Sequence, residues 1–302
     1  MTSWSLRNAP LAAGLLGAAL GLLGCGEKPR PDDSPKAEPA AASAKETATA
    51  VTAAPEPGGA APARDKMHQA FADAVRSADD PPPADAARPP DETVSKKPVH
   101  RILDAVKGEW DAIRFTSPAG KPLDFTATIE TTAGNVEIAL FPEQAPNHVR
   151  NFIALARAGY YDQLFVDRVR HEQNPTTGQE LHLIEAGCPL GNGSSGTGSI
   201  GYWLKAELTP GEKMSHDEGT VGACRGEEPD SAATRFYITL NKAPFLDGSY
   251  TIFGKVIAGL DILRKIGKSP VVVDDEGQSH PEMPIVIQRV TIQQKEREAA
   301  NK

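Results

Sequence analysis

Cysteine, aromatic residues and long apolar runs are all scarce in this 302-residue chain. The three cysteines, Cys25, Cys188 and Cys224, form no CxxC pair, which argues against a zinc site of the usual spacing. Aromatics are 6% of the chain and hydrophobic residues 39%, low for a chain packed throughout, so part of it is expected to lie outside any core. No cluster of Lys and Arg interrupts a net charge of −8, so binding by phosphate neutralisation has no support and nucleic acid is not an expected partner. No serine sits in a GxSxG elbow, which leaves serine-hydrolase chemistry without a nucleophile. Gly191 to Gly196 does spell GxGxxG. No strong strand precedes it, and Gly198 and Gly201 follow where a helix would have to start, so it reads as a glycine loop and not as a dinucleotide site.

What is present falls into blocks. Residues 1–8 carry one basic side chain, Arg7, and Ala9 to Leu23 form an apolar run rich in Leu, Ala and Gly. At roughly 15 residues it is short for a membrane-spanning helix and has the layout of a secretory signal. It ends Leu22-Leu23-Gly24-Cys25, which resembles a bacterial lipobox, with cleavage before Cys25 and lipid on its thiol. An ordinary signal peptide with a chance cysteine is the competing reading. Acyl chains on Cys25 would anchor the protein stably, each buried methylene adding about 0.8 kcal/mol. Residues 1–24 are thus expected to be a lipoprotein signal, and the chain to sit at a bacterial cell envelope, facing the periplasm or on the outer membrane.

Residues 25–98 are dominated by Pro, Ala, Ser, Thr and charged residues. Such a composition buries too little apolar surface to offset its ordering entropy, and the segment reads as a disordered tether. Met67, Phe71 and Val75 recur every four residues and suggest a short helix, which reads more readily as transient than as functional. A second helix is expected over 99–116, where Ile102, Leu103, Val106, Trp110 and Ile113 make one apolar stripe that needs cover. From Leu123 the period changes to two: Phe125, Ala127 and Ile129, then Val136, Ile138 and Leu140, flank a turn at Ala133-Gly134-Asn135. An amphipathic helix follows over 146–158, and another over Leu260–Ile266. Strand-like runs lie at 235–240, 249–257 and 285–292. Many short strands with few helices suggest a β-barrel. Residues 117–293 are read as the folded domain and 294–302 as a polar tail.

Several blocks then carry a resemblance. Ile138-Ala139-Leu140-Phe141-Pro142, Ala145-Pro146-Asn147, Asn151-Phe152 and Gly159-Tyr160-Tyr161-Asp162 are followed by Gly187-Cys188-Pro189 and Gly196-Thr197-Gly198. Phe236-Tyr237-Ile238-Thr239, Leu246-Asp247-Gly248 and Phe253-Gly254-Lys255-Val256 complete the series. In this order, over Pro122 to Ile292, they resemble the cyclophilin-type peptidyl-prolyl cis-trans isomerases. The resemblance implies a mainly β fold: a closed eight-stranded antiparallel barrel capped by two helices. It also implies isomerisation of Xaa-Pro bonds in polypeptides without a cofactor or a metal.

Rotation about such a bond meets a barrier near 20 kcal/mol because resonance stiffens the amide. A cation that donates to the prolyl nitrogen opposes that resonance in the twisted state. In the family an arginine in a Phe-His-Arg sequence does this. Val166-Asp167-Arg168 is the matching run here, which makes Arg168 the catalytic candidate. About nine extra residues around 171–179 then precede the next matching strand. In that strand His182 stands for a pocket phenylalanine, Leu183 for a methionine, and Glu185 for a glutamine that supports the arginine. Glu185 can orient the guanidinium or neutralise its field. Arg235 replaces a second glutamine, Tyr237 replaces the phenylalanine of the pocket floor, and Cys224 and Arg225 fall on the edge that binds substrate backbone. Phe245, Leu246 and Tyr250 complete the apolar rim. A pocket this charged implies a slower or more selective isomerase, or a module reduced to binding proline-containing segments or to scaffolding at the envelope. Cys188 and Cys224 could form a disulfide after export or remain two separate buried thiols.

Overall fold

The computed structural model of the protein describes residues 67–76, 79–173, 177–194, 198–208, 214–275 and 277–298. The signal-like run and Cys25 lie outside the described residues. Eight strands close a barrel: β1 (Leu123–Thr131), β2 (Gly134–Leu140), β3 (Leu164–Gln173), β4 (Glu180–Ala186), β5 (Thr220–Ala223), β6 (Phe236–Thr239), β7 (Ile252–Ala258) and β10 (Val286–Glu296). Their order around it is β1-β10-β3-β4-β6-β5-β7-β2, with every pairing antiparallel. A small separate sheet joins β8 (Val271–Val273) to β9 (Ser279–Pro281). Closure leaves the barrel without an open edge. Inward residues alternate as the sequence requires: in β1, Leu123, Phe125, Ala127, Ile129 and Thr131 are buried, and each residue between them is only partly so. The tight β1–β2 turn relies on Gly134 (φ 132°), where a Cβ would come within 2.9 Å of the Ile262 side chain.

Two helices pack on the barrel, α3 (Pro146–Arg157) and α4 (Leu260–Ile266). Pro146 starts α3 without loss of a backbone bond, and the Glu207 carboxylate then accepts the N–H groups of Asn147 and His148 at 3.0 and 2.9 Å. Further upstream, α2 (Val99–Trp110) packs against α3. It buries Val99, Ile102, Val106 and Trp110, the stripe that the spacing predicts. The helix stops at Trp110, six residues short of the expected end. Gly108 weakens its last turn, and Ile113 and Phe115, beyond its end, are still buried in the core.

The composition of 25–98 predicts an unpacked tether, whereas from residue 67 onward the chain lies against the barrel. A single turn, α1 (Phe71–Ala74), sets the Phe71 ring edge-on to both Trp110 and Tyr202. Val75 bridges Leu204, and the Arg76 N–H donates to the Trp203 carbonyl at 2.8 Å. The Trp110 indole N–H donates to the Gln69 carbonyl, while the buried Arg150 guanidinium lies over the Trp110 and Phe115 rings and donates to the Met67 carbonyl. A few well-placed apolar side chains are therefore enough to hold a segment whose average composition is that of a linker.

Candidate active site

The site begins with an extra residue in β3. Val166 pairs with Ala186 and Arg168 with Glu185, so Asp167 is a β-bulge. A bulge re-aims the side chains beyond it, and from here Arg168 and Arg170 share a face with Leu183 and Glu185 of β4. Asp167 itself is buried. One of its carboxylate oxygens accepts the Cys188 N–H at 2.6 Å, and its backbone carbonyl is bonded by His280, whose other ring nitrogen meets Asp274. Burial pushes the Asp167 carboxyl up to about 8, against the pull of Arg235 and the Cys188 amide.

Glu185 is the centre of a buried charge cluster. Its carboxylate lies 2.5 Å from Arg235 Nη2, 3.5 Å from Arg168 Nη1 and 3.6 Å from Arg170 Nη1. Burial alone would raise its pKa, but Arg168, Arg235 and Arg170 outweigh burial and hold it below the ordinary carboxylate value. Arg235 also donates to the Ser194 and Gly193 carbonyls; burial pulls its pKa down, but Glu185 together with Cys224, Cys188 and Asp167 outweighs burial and raises it. Arg168 is affected in the opposite direction. Burial lowers its pKa and Glu185 recovers only part of that. The nearest cation to Glu185 is thus Arg235, with Arg168 an ångström farther away. The two family glutamines have been replaced together by an acid and a base that satisfy one another.

Beside this cluster lies an apolar one of Leu181, Leu183, Cys224, Tyr237, Leu246 and Tyr250, with Phe245 packed on its edge. The Tyr237 phenol bonds His216 Nε2 at 2.7 Å, and His216 Nδ1 meets Asp247 at 2.6 Å. The ring passes directly over Gly222, where any Cβ would lie 2.3 Å from the phenol. Arg225 stacks its guanidinium 4.4 Å over Tyr250 and gives its donors to the carbonyls of Ser249, Gly226 and Glu227. It covers the cluster from outside rather than offering an open strand edge. Cys224 belongs to both groups: it also lines an open cleft with Arg168, Glu185, Arg225, Gly226 and Arg235. Burial holds the Cys224 thiol well above its usual pKa. Cys188 and Cys224 are both buried, and no disulfide joins them.

The structure thus gathers every pocket residue expected from the sequence except one. His182 faces away, with Nε2 3.0 Å from the Gly267 carbonyl and its ring stacked on His171. The cause is the long hairpin. β3 runs on to Gln173 and pairs with β4 from Glu180, with His171 opposite His182, so position 182 lies on the opposite face from 183 and 185. Leu181, two residues before Leu183, takes a place in the apolar cluster instead. Arg170 is a second residue that sequence reading missed, although its two-residue spacing from Arg168 was the available signal.

The cyclophilin type peptidyl-prolyl cis-trans isomerase/CLD family matches residues 126–292. Peptidyl-prolyl cis-trans isomerase-like 1 of Neurospora crassa is 33% identical over 162 residues, which span 54% of this chain and 91% of that protein. Peptidyl-prolyl cis-trans isomerase-like 3 of Gallus gallus is 32% identical over 165 residues, 55% of this chain and 94% of the relative. Peptidyl-prolyl cis-trans isomerase 9 of Schizosaccharomyces pombe is 35% identical over 143 residues, but the match spans only 21% of its length. A cyclophilin type isomerase of Cryptosporidium parvum, solved in the presence of the dipeptide Ala-Pro, is 27% identical with a TM-score of 0.46, covering 56% of this chain and 98% of that one. With a matched region over half the chain and nearly the full length of two relatives, this chain belongs to the cyclophilin-type peptidyl-prolyl cis-trans isomerase family.

Proposed function

We propose that this isomerase acts on Xaa-Pro bonds of exported polypeptides at a bacterial envelope, with Arg168 as its catalytic cation and lipid on Cys25 as its anchor. The observation that carries the catalytic part is the meeting, at one cleft, of a nearly buried guanidinium and an apolar cluster, with Cys224 common to both. The chemistry needs no covalent step. The apolar cluster of Leu183, Tyr237, Leu246 and Tyr250 grips the proline ring. Arg168 donates to the prolyl nitrogen as the amide twists and its lone pair localises. That interaction strengthens only in the transition state, which is the condition for acceleration. Glu185 orients Arg168 from 3.5 Å without claiming its charge, because Arg235 lies nearer. The envelope part rests on the signal-like run and the lipobox-like Leu22-Leu23-Gly24-Cys25.

A second reading draws on the closed state of the apolar cluster. Tyr237 and Leu246 are wholly buried, and Arg225 lies over Tyr250. A proline ring enters only if Arg225 swings away, which favours a selective or slow enzyme, or a module that binds proline-containing segments. Isomerisation of a panel of Xaa-Pro peptides by the purified full chain separates the two: acceleration supports the enzyme, and binding without acceleration supports the module. Replacing Cys25 with Ser tests the anchor. The account expects release from the membrane fraction, and unchanged membrane retention contradicts it.

A further inference from the structure

The cleft beside Arg168 is not lined by the barrel alone. Pro83, Asp85 and Ala86, from the segment upstream of the domain, form one of its walls. Within the run Pro81-Pro82-Pro83-Ala84 only Pro83 is buried. The Ala84 N–H donates to Glu228 Oε1 at 2.9 Å, and the other oxygen of that carboxylate holds Arg76 at 2.6 Å. The Asp85 carboxylate rests on Gly226, where a Cβ would come within 2.4 Å of it. The segment is held on both sides, upstream by the Val75–Leu204 bridge and downstream by the Val94 N–H on the Pro189 carbonyl. Charges match as well. The cleft presents Arg168, Arg225 and Arg235 against Glu185, whereas the chain from 79 to 87 carries Asp79, Asp80 and Asp85 and no basic residue.

Resting on the isomerase reading of this cleft, we propose that residues 81–86 are its resident ligand, and that the polypeptides which displace them carry an acidic residue two positions after a proline, as Pro83-Ala84-Asp85 does. A ligand approaching Arg168 through the cleft meets Pro83 and Asp85 first. Bound proline pre-sets an extended backbone at small entropic cost, and the acid supplies the charge that three arginines select. The self-bound state lowers apparent affinity in proportion to its population, so a segment docked about nine-tenths of the time raises the apparent KM about tenfold.

The test uses the full chain. Asp85→Arg reverses the matching charge. Ala84→Pro independently removes the donor to Glu228, and either change leaves the barrel's own residues intact. Amide exchange at Ala84 (in Asp85→Arg) reports undocking, and circular dichroism reports folding. Two readouts follow: KM and kcat for a neutral Xaa-Pro test peptide, and fluorescence anisotropy of the labelled octapeptide Asp-Asp-Pro-Pro-Pro-Ala-Asp-Ala. The expected result is a severalfold fall in KM at constant kcat in both variants, with the octapeptide binding them more tightly than wild type and competing with the test peptide. An octapeptide with Asn in place of its last Asp should bind several times more weakly. If the segment undocks and neither KM nor octapeptide affinity changes, the proposal is overturned and 81–86 is only cover. If no protein isomerises any peptide but the variants still bind the octapeptide more tightly than wild type, the resident-ligand proposal stands and the enzyme reading fails.

Discussion

Glu185 and Arg235 show how two substitutions can be acceptable only as a pair. Each is buried beside Arg168 and Arg170, and each satisfies the other at 2.5 Å. Removing one partner of a buried ion pair strands the other, at a cost of about 3–5 kcal/mol. Glu185→Gln is therefore expected to destabilise the protein by about that much, while Glu185→Gln with Arg235→Gln recovers most of it in urea denaturation. A purely additive double variant would contradict this coupling. Asp167 offers a separate test by pH. Its folded pKa, raised to about 8, exceeds the unfolded value of about 3.9, so between them the native state holds a proton that the unfolded chain has released. Its contribution therefore falls as pH rises from about 4 to 8. Glu185, held below its ordinary value, has the opposite sign, and its contribution is lost as pH falls below about 4. His216, lowered by burial, has its effect near and below about pH 6.5. Asp167→Asn should flatten the decline in urea midpoint above pH 6.5, and a decline identical to wild type would show that Asp167 ionises normally.

At the scale of elements, position in a strand decides which residues reach the site. Arg168, Glu185 and Tyr237 were legible in sequence because nearby blocks, Gly187-Cys188-Pro189 and Phe236-Ile238, fix their register. His182 was misplaced because β3 runs on to Gln173 and pairs with β4 from Glu180, so simple alternation governs the face at position 182. The bulge at Asp167 left no mark in the hydrophobic pattern. The helices were easier: α4 falls on the residues expected, and α2 is off only at its end, where a glycine weakens the last turn. The upstream segment was misjudged on average composition, although Met67, Phe71 and Val75 already marked its contact points. Trp110 ties that segment to α2 and α3. Trp110→Ala should cost about 3–5 kcal/mol in denaturant unfolding and accelerate amide exchange over 67–76. A loss under about 1 kcal/mol would mean that the segment is only loosely attached.

The whole molecule combines a closed, edge-free barrel with a charge pattern opposite to its average. The chain carries −8, yet arginines concentrate at the one cleft where isomerisation is proposed. An acidic exterior keeps such a cleft from attracting polyanions at large while leaving short acidic segments a local match. The fold and family were legible in sequence because a barrel of this kind repeats turn and strand blocks in fixed order. The closed state of the apolar cluster was not, because it depends on where Arg225 lies, and no local pattern encodes a stack on Tyr250.

Magnetisation exchange between the cis and trans forms of a short Xaa-Pro peptide, with wild type and Arg168→Ala compared at equal bound fraction, tests directly whether Arg168 acts on the twisted amide. The account expects catalysed exchange with wild type and a loss of about 10²–10³-fold in the variant, with peptide affinity changed much less. Equal exchange rates with the two proteins would contradict it and place the catalytic cation elsewhere in the cleft.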